Sequence, residues 1–252
     1  MEAVLYICHG SRLKKAQEEA AAFVHRCMLE NPVPIQEYGF LELATPTIEQ
    51  GFRKCIEKGA TKILTVPVLL LTAGHAKLDI PLEMERLMVQ FPGVEVVLGN
   101  PIGVHPDISQ LLVERISETN ELISDDTMVL LVGRGSSDPE VKRDLMRIAK
   151  ALQQESGIKN VESSFLVAAT PSFEESLQNA VNSSYQKIVV IPYILFTGLL
   201  MSKLAKTIQS YNEKTNKQII LGNYLGYHPI LSKILLERVK EAQLKGSKQI
   251  IS

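Results

Sequence analysis

The chain has 252 residues, of which 45% are hydrophobic and 22% charged, and its formal net charge is −1. This composition excludes a largely disordered protein, and the small charge gives no general attraction to nucleic acid or to a membrane surface. Its apolar runs are much shorter than the ~20 residues of a membrane-spanning helix, and no leader segment is recognisable. Three scattered cysteines indicate reduced thiols, so we expect a cytoplasmic protein with no membrane or nucleic-acid partner.

Strand and helix patterns alternate along the first half of the chain. The predicted strands are 3–8, 33–43, 63–71 and 94–98, and the predicted helices are 13–29, 47–58, 77–91 and 108–117. Because the strands are nearly continuous runs of Val, Ile and Leu, the alternation predicts a parallel sheet covered by helices on both faces.

The second half repeats the first. The matching segments are 4–12 with 129–137, 44–46 with 169–171, and, after a two-residue deletion, 98–106 with 221–229 and 114–115 with 237–238. We therefore predict two tandem α/β domains, 1–122 and 123–252, each with a four-stranded parallel sheet. Because the fused repeat can be its own pseudo-dimer, we expect a monomer.

Three positions carry a metal-binding or proton-accepting group in the first copy only. His9 faces Arg134, Glu42 faces Val167, and His75 faces Leu200. Residues present in both copies, such as the His-Pro pairs at 105–106 and 228–229, are expected to serve the fold at helix starts. The asymmetry therefore predicts that the active site belongs to the first domain and that the second domain lacks it.

The three side chains are expected at one edge of the sheet, because each follows the carboxyl end of a strand, where open α/β sheets bind ligands. Two imidazoles and a carboxylate could hold a divalent metal with positions left open, or accept a proton. The turn at Gly10-Ser11 either holds an anion through its backbone N–H groups or simply turns the chain. Arg12 and Arg134 are candidate cations for a ligand carboxylate.

A nucleophilic pair of Cys8 and His9 is the weaker interpretation. Adjacent residues of a strand point to opposite faces, so the thiol is expected to lie in the core. The chain also lacks a Gly-x-Ser-x-Gly segment, which disfavours a hydrolase of that type.

These segments resemble the class II tetrapyrrole chelatases, specifically the long, two-domain form of the sirohydrochlorin chelatase family. The resemblance covers essentially the whole chain and rests on His9-Gly10-Ser11-Arg12, 40–47, 67–75 and Asp79-Ile80-Pro81. It implies insertion of a divalent metal, Fe²⁺ or Co²⁺, into sirohydrochlorin with release of two protons. The metal is then a substrate, and no permanently bound cofactor is expected.

The resemblance also implies roles for individual residues. His9, Glu42 and His75 would be metal ligands and catalytic residues, His9 also accepting a proton and Glu42 serving as ligand or proton acceptor. The expected substrate-binding residues are Ser11, Arg12, Thr45, Leu70, Leu71, Thr72, Ala73, Gly74 and Arg134. We expect His9 and His75 on one rim, with imidazoles less than about 12 Å apart, facing a cleft between the domains.

Other functions remain open at the level of sequence. Iron insertion giving siroheme is the leading prediction, and cobalt insertion for cobalamin synthesis is an alternative. A non-catalytic carrier of metal or tetrapyrrole could use the same ligands, and multiple turnover would separate it from an enzyme. A duplicated binding protein for small anions, with incidental histidines, is a third hypothesis.

Overall fold

The computed structural model describes residues 1–72 and 74–249, without the side chains of His75 and of residues 247–249. The first copy contains β1 (Glu2–Cys8), α1 (Lys14–Glu30), β2 (Ile35–Phe40), α2 (Ile48–Glu57), β3 (Lys62–Val68), a π-helical turn (His75–Asp79), α3 (Ile80–Gln90), β4 (Glu95–Leu98) and α4 (Asp107–Ser117). The second contains β5 (Thr127–Gly133), α5 (Pro139–Ser156), β6 (Val161–Phe165), α6 (Phe173–Asn182), β7 (Lys187–Tyr193), α7 (Leu199–Asn212), β8 (Gln218–Leu221) and α8 (Pro229–Gln249). None of the helices in the described part of the chain is long and apolar enough to cross a membrane.

The strands form two four-stranded parallel sheets, ordered β2-β1-β3-β4 and β6-β5-β7-β8. The central strands β1, β3, β5 and β7 are buried along almost their whole length. Helices therefore cover both faces of each sheet, which is why these strands are continuously apolar rather than alternating. The predicted α/β fold with two similar sheets is confirmed.

Two predicted strands are too long. The strand predicted over 33–43 spans only Ile35–Phe40, and at Leu43 the chain adopts a left-handed conformation with φ +59°, which is incompatible with a strand. The strand predicted over 63–71 ends at Val68, although its last residues remain apolar. In both cases the apolar pattern extends into a loop at the carboxyl edge of the sheet, where part of the loop is still half-buried.

The three cysteines are free and buried. Cys8 lies in the core as predicted, and burial raises the pKa of its thiol to about 12. A thiol that stays protonated at neutral pH is a poor nucleophile, so the structure gives no support to a nucleophilic Cys8.

The chain divides into two compact units that do not coincide with the halves 1–122 and 123–252. Unit 1 comprises Met1–Gly103 and the segment that begins at Pro229, and unit 2 comprises Val104–His228. The difference is one helix at the end of each copy. Helix α4 packs on α5 and β7 of unit 2, and α8 packs on α1, β3 and β4 of unit 1. Both helices bury an apolar face, but the repeat pattern does not indicate which sheet that face covers.

Candidate active site

The ends of three strands of unit 1 lie at one level of the sheet. Cys8, the last residue of β1, is in register with Phe40 on one side and with Val68 on the other. His9, the loop 41–47 and the segment 69–75 therefore leave the sheet at the same edge. This edge is the carboxyl edge, where ligands of open parallel sheets bind.

His9 and Glu42 lie side by side at this edge. The backbone pairing of β1 and β2 continues past the strands, since Leu41 N–H donates to Cys8 O at 2.8 Å and Glu42 N–H to His9 O at 3.1 Å. The His9 Nδ1 atom is 3.6 Å from Glu42 Oε1, and the two side chains are 31% and 46% exposed. Both side chains are accessible to a dissolved ligand.

The carbonyl of Gly10 selects a tautomer of His9. It lies 3.1 Å from His9 Nδ1, which fits an Nδ1–H donating to the carbonyl oxygen. The lone pair of the neutral ring is then on Nε2, the atom that would bind a metal or accept a proton.

Glycine is required at position 10 because two backbones meet there. Gly10 has φ +98°, and a Cβ built on it would be 1.8 Å from the carbonyl oxygen of Glu42. The second copy has the same approach, since a Cβ on Gly135 would be 1.9 Å from the carbonyl oxygen of Val167. The close turn thus belongs to the fold of both copies, whereas the side chains that it brings together differ.

The loop 41–47 is held at its far end. Phe40 N–H donates to Pro46 O at 2.8 Å, and Thr47 begins α2 with a capping box. Glu42 and Thr45 are exposed on this short closed loop. Because both ends of the loop are fixed, its side chains are held in defined positions, as a binding site requires.

Sequence reasoning missed Gln17 of α1. Its Nε2 donates to Ser11 O at 2.7 Å and to Leu43 O at 3.4 Å, and so links the turn after β1 to the loop after β2. In the repeat, Gln17 faces Lys142. The comparison of copies that singled out His9 could have found it as well. Ser11 itself accepts the Leu13 N–H through Oγ at 3.1 Å, which places it in the turn structure.

The segment after β3 leads to His75. Leu70, Leu71 and Thr72 are half-buried, and Gly74 is exposed, with no atom within 4 Å of the place that a Cβ would occupy. His75 begins the π-helical turn, whereas the second copy enters α7 directly at Leu199. Single π-helical turns are frequent at functional sites, so this irregularity, found in the copy with the histidine, agrees with the predicted site.

Ala73 and the side chain of His75 lie outside the described residues. The distance between the imidazoles of His9 and His75 therefore stays a prediction. Among the side chains that the structure does describe, no three His, Cys, Asp or Glu form a group that could hold a metal ion. His9 and Glu42 are the two of the predicted ligands that the structure brings together.

The predicted cations are accessible. Arg12 lies in the turn after β1 of unit 1, and Arg134 holds the corresponding position of His9 in unit 2. Both are exposed, and among the described residues neither guanidinium has a hydrogen-bond or ion-pair partner. Each can therefore bind an anionic group without breaking an existing contact.

Comparison with known proteins identifies the family. A family model described as CbiX matches residues 3–119 and again 128–242. The chain is 52% identical over 240 residues to a sirohydrochlorin ferrochelatase of Priestia megaterium, covering 95% of this chain and 90% of the relative. It is 34% identical over 245 residues to a sirohydrochlorin cobaltochelatase of the same organism, covering 96% and 80%. The solved structure of SirB from Bacillus subtilis with Fe3+ matches with a TM-score of 0.91 at 41% identity, covering 98% of both chains. Because the family model matches both halves of a chain that folds into two parallel sheets, the chain belongs to the CbiX family of chelatases, in the form that carries the family's domain twice.

Proposed function

We propose that the protein inserts Fe²⁺ into sirohydrochlorin, releasing two protons and giving siroheme. The observation that carries this proposal is the partly exposed His9–Glu42 pair at 3.6 Å, at the edge of the sheet to which the segment carrying His75 also leads. The identity of 52% to a sirohydrochlorin ferrochelatase over 95% of the chain supports the same reaction.

Iron is preferred over cobalt as the metal substrate. Imidazole and carboxylate ligands suit both ions, so the ligand set alone does not discriminate between them. Priestia megaterium has both a ferrochelatase and a cobaltochelatase among the relatives, and the chain is 52% identical to the first but 34% to the second. The chain therefore groups with the iron enzyme of an organism that has both kinds.

The pair can bind the incoming metal and then take up a proton. Nε2 of His9, with Glu42 and His75, would hold the ion before transfer. When the ion moves to the macrocycle, the ligand lone pairs become available as the pyrrole protons must leave. The imidazolium that forms on His9 would be stabilised by Glu42 and by the Gly10 carbonyl, both of which lie beside Nδ1.

Other residues would bind the tetrapyrrole. Sirohydrochlorin carries many carboxylates, and the exposed Arg12 and Arg134 can each bind one, while Ser11, Thr45 and the segment 70–74 line the macrocycle. We further propose a cytoplasmic monomer without a permanently bound cofactor. The three buried free thiols fit a reducing compartment, and the two copies in one chain fit a monomer.

The test is a spectrophotometric assay of sirohydrochlorin with Fe²⁺ or Co²⁺ under anaerobic conditions. We expect many turnovers per protein and a higher kcat/KM with Fe²⁺. His9→Ala should abolish insertion at an unchanged melting temperature, because a rim side chain contributes little packing. His105→Ala is the control: its Nδ1 accepts the Asp107 N–H at 3.2 Å at a helix start, so stability should fall while activity remains.

Two results would contradict the proposal. A single equivalent of product followed by arrest would indicate a carrier. A rate no higher than that without protein, for both metals, would exclude a chelatase.

A further inference from the structure

The segment that leads to His75 is hydrogen-bonded to the loop that follows β4. Ile102 N–H donates to Leu69 O at 3.0 Å, and Gly103 N–H donates to Leu70 O at 2.8 Å. These two hydrogen bonds fix the first residues after β3. This loop therefore fixes the backbone of Leu69 and Leu70, where the segment that leads to His75 begins.

Arg238 of α8 holds that loop through its carbonyl groups. Its Nε donates to Pro101 O at 2.9 Å and its Nη2 to Ile102 O at 2.7 Å, while Nη1 pairs with Glu241 at 2.6 Å. The side chain is only 13% exposed, so water cannot readily replace these donors. The planar guanidinium reaches two carbonyls and a carboxylate at once, which a lysine ammonium cannot do in the same geometry.

Unit 2 contains a related arrangement without the predicted ligands, although the buried Nε of Arg115 has no hydrogen-bond partner among the described residues, whereas that of Arg238 donates to two carbonyl groups. Arg115 of α4 pairs with Glu118, and its Nη2 donates to Leu225 O at 2.6 Å. The N–H groups of Leu225 and Gly226 donate to Ile194 O and Leu195 O, both at 2.9 Å. The side chain of Arg115 is 12% exposed, close to the value for Arg238. The segment that Arg115 supports leads to Leu200 instead of a histidine.

We propose that Arg238 is a positioning residue for His75, acting through the loop 101–103 and the start of the segment 69–74. The proposal rests on the function proposed above, in which His75 is a metal ligand. It assigns to the copy without the predicted ligands a role in the site of the other copy, because α8 belongs to the second copy in sequence and to unit 1 in space.

The matched variants are Arg238→Ala and Arg115→Ala, with Arg238→Lys as a milder change that keeps the charge and the fold. Hydrogen exchange should accelerate at Ile102 and Gly103 in the first variant, and at Leu225 and Gly226 in the second. Both alanine variants should lose thermal stability, and Arg238→Ala should lose more, because Arg238 donates to two carbonyl groups and Arg115 to one. In Arg238→Ala alone, the affinity for Co²⁺ without tetrapyrrole should fall about 10- to 100-fold, as for residues that orient metal ligands.

A double-mutant cycle separates positioning from general destabilisation. If Arg238 acts through His75, Arg238→Ala should weaken Co²⁺ binding much less in a His75→Ala background than in the natural chain. Turnover should follow the same pattern, with Arg115→Ala within about threefold of the natural protein. Arg238→Lys should lie between the natural protein and Arg238→Ala.

Equal losses of metal affinity in the two alanine variants would overturn the proposal. So would additive losses in the cycle with His75→Ala. If the natural protein binds metal but inserts none, the proposed function fails, while the exchange and metal-binding measurements still decide the role of Arg238. Should Arg238→Ala not fold, the same comparisons with Arg238→Lys and Arg115→Lys decide it.

Discussion

Residue 10 is a glycine, and because it has no Cβ, the backbones that carry His9 and Glu42 can lie close together. In Gly10→Ala the new Cβ would meet the Glu42 carbonyl oxygen, and the residue would keep an unfavourable φ of +98°. We expect a loss of stability of at least about 1–2 kcal/mol, together with a large loss of metal insertion, because the two loops must move apart. Thermal unfolding and turnover measure the two effects.

Gly135→Ala is the control for this prediction. It creates the same clash with Val167 in unit 2, so it should cost a similar amount of stability. The kcat at saturating sirohydrochlorin, measured well below the unfolding temperature, should be much less affected, because Arg134 beside this turn is expected to act on KM. If the two variants lose activity equally, the turn at Gly10 has no special relation to the site.

Arg134 offers a test of substrate binding. It is exposed at the position that corresponds to His9. Arg134→Ala should raise KM for sirohydrochlorin more than it lowers kcat, because binding shared by ground and transition states is lost. The lost charge-assisted bond corresponds to about 1.5–3 kcal/mol, or roughly a 10- to 100-fold change. An unchanged KM, or a weaker metal affinity without tetrapyrrole, would contradict a role in carboxylate binding.

At the residue scale, comparison of the copies was more informative than residue type. His9 and Glu42 are distant in sequence, yet both differ between the copies, and the structure places them 3.6 Å apart. Their catalytic roles stay predictions, as does the position of the His75 side chain. Gln17 also differs between the copies, where it faces Lys142, but only its carbonyl partners in the structure show what its uncharged amide does.

At the scale of elements, the two capping boxes differ in one titratable group. In α6, Glu175 accepts the Ser172 N–H at 2.9 Å, whereas Gln50 makes the equivalent contact with Thr47 N–H in α2 at 2.8 Å. The backbone N–H of Ser172, then its hydroxyl, lowers the pKa of Glu175 below its ordinary value of 4.5. Because the folded pKa is the lower one, the stabilisation is present above pH 4.5 and is lost as the pH falls through the folded pKa.

This difference predicts a pH dependence in one copy. The melting temperature of the natural protein, relative to that of Glu175→Gln, should be constant above about pH 5.5 and should fall below about pH 4.5. Gln50→Glu should add a dependence of the same sign to α2. A difference that does not change with pH in either case would mean that the carboxylate is not bound to the helix start in solution.

Most elements could be predicted, because each has a local cause. The alternation of apolar strands and amphipathic helices predicted the order of the elements along the chain, and the repeat gave the same order in the second copy. The sequence did not predict that α4 packs in unit 2 and α8 in unit 1. An apolar helix face, such as that of Leu231, Ile234 and Leu235, shows that a helix is buried but does not show which sheet it covers. The π-helical turn before α3 has no pattern that distinguishes it from an ordinary helix start.

At the scale of the whole molecule, the predicted ligands and the helix that completes their unit are far apart in sequence. A chain ending at His228 keeps His9, Glu42 and His75 and all of unit 2, but it loses α8. Each buried Leu or Ile contributes roughly 1.5–3 kcal/mol, so the four residues Leu231, Ile234, Leu235 and Val239 together are comparable with a stability of about 5–15 kcal/mol.

We therefore expect the shortened chain to lack metal insertion, although every predicted ligand is present. Calorimetry should show one cooperative transition, that of unit 2. Addition of α8 as a separate peptide should restore part of the activity. Full activity without α8 would show that unit 1 is complete in the first copy alone.

The discontinuity of unit 1 also sets the order in which the protein can fold during synthesis. Domains usually fold as they emerge from the ribosome, the N-terminal one first. Here α8 is translated after all of unit 2, so unit 2 can close while unit 1 still exposes the apolar surface of β3 and β4. The unit with the predicted ligands is begun first and finished last. A nascent chain therefore completes the unit with the predicted ligands only after the copy without those ligands has been made.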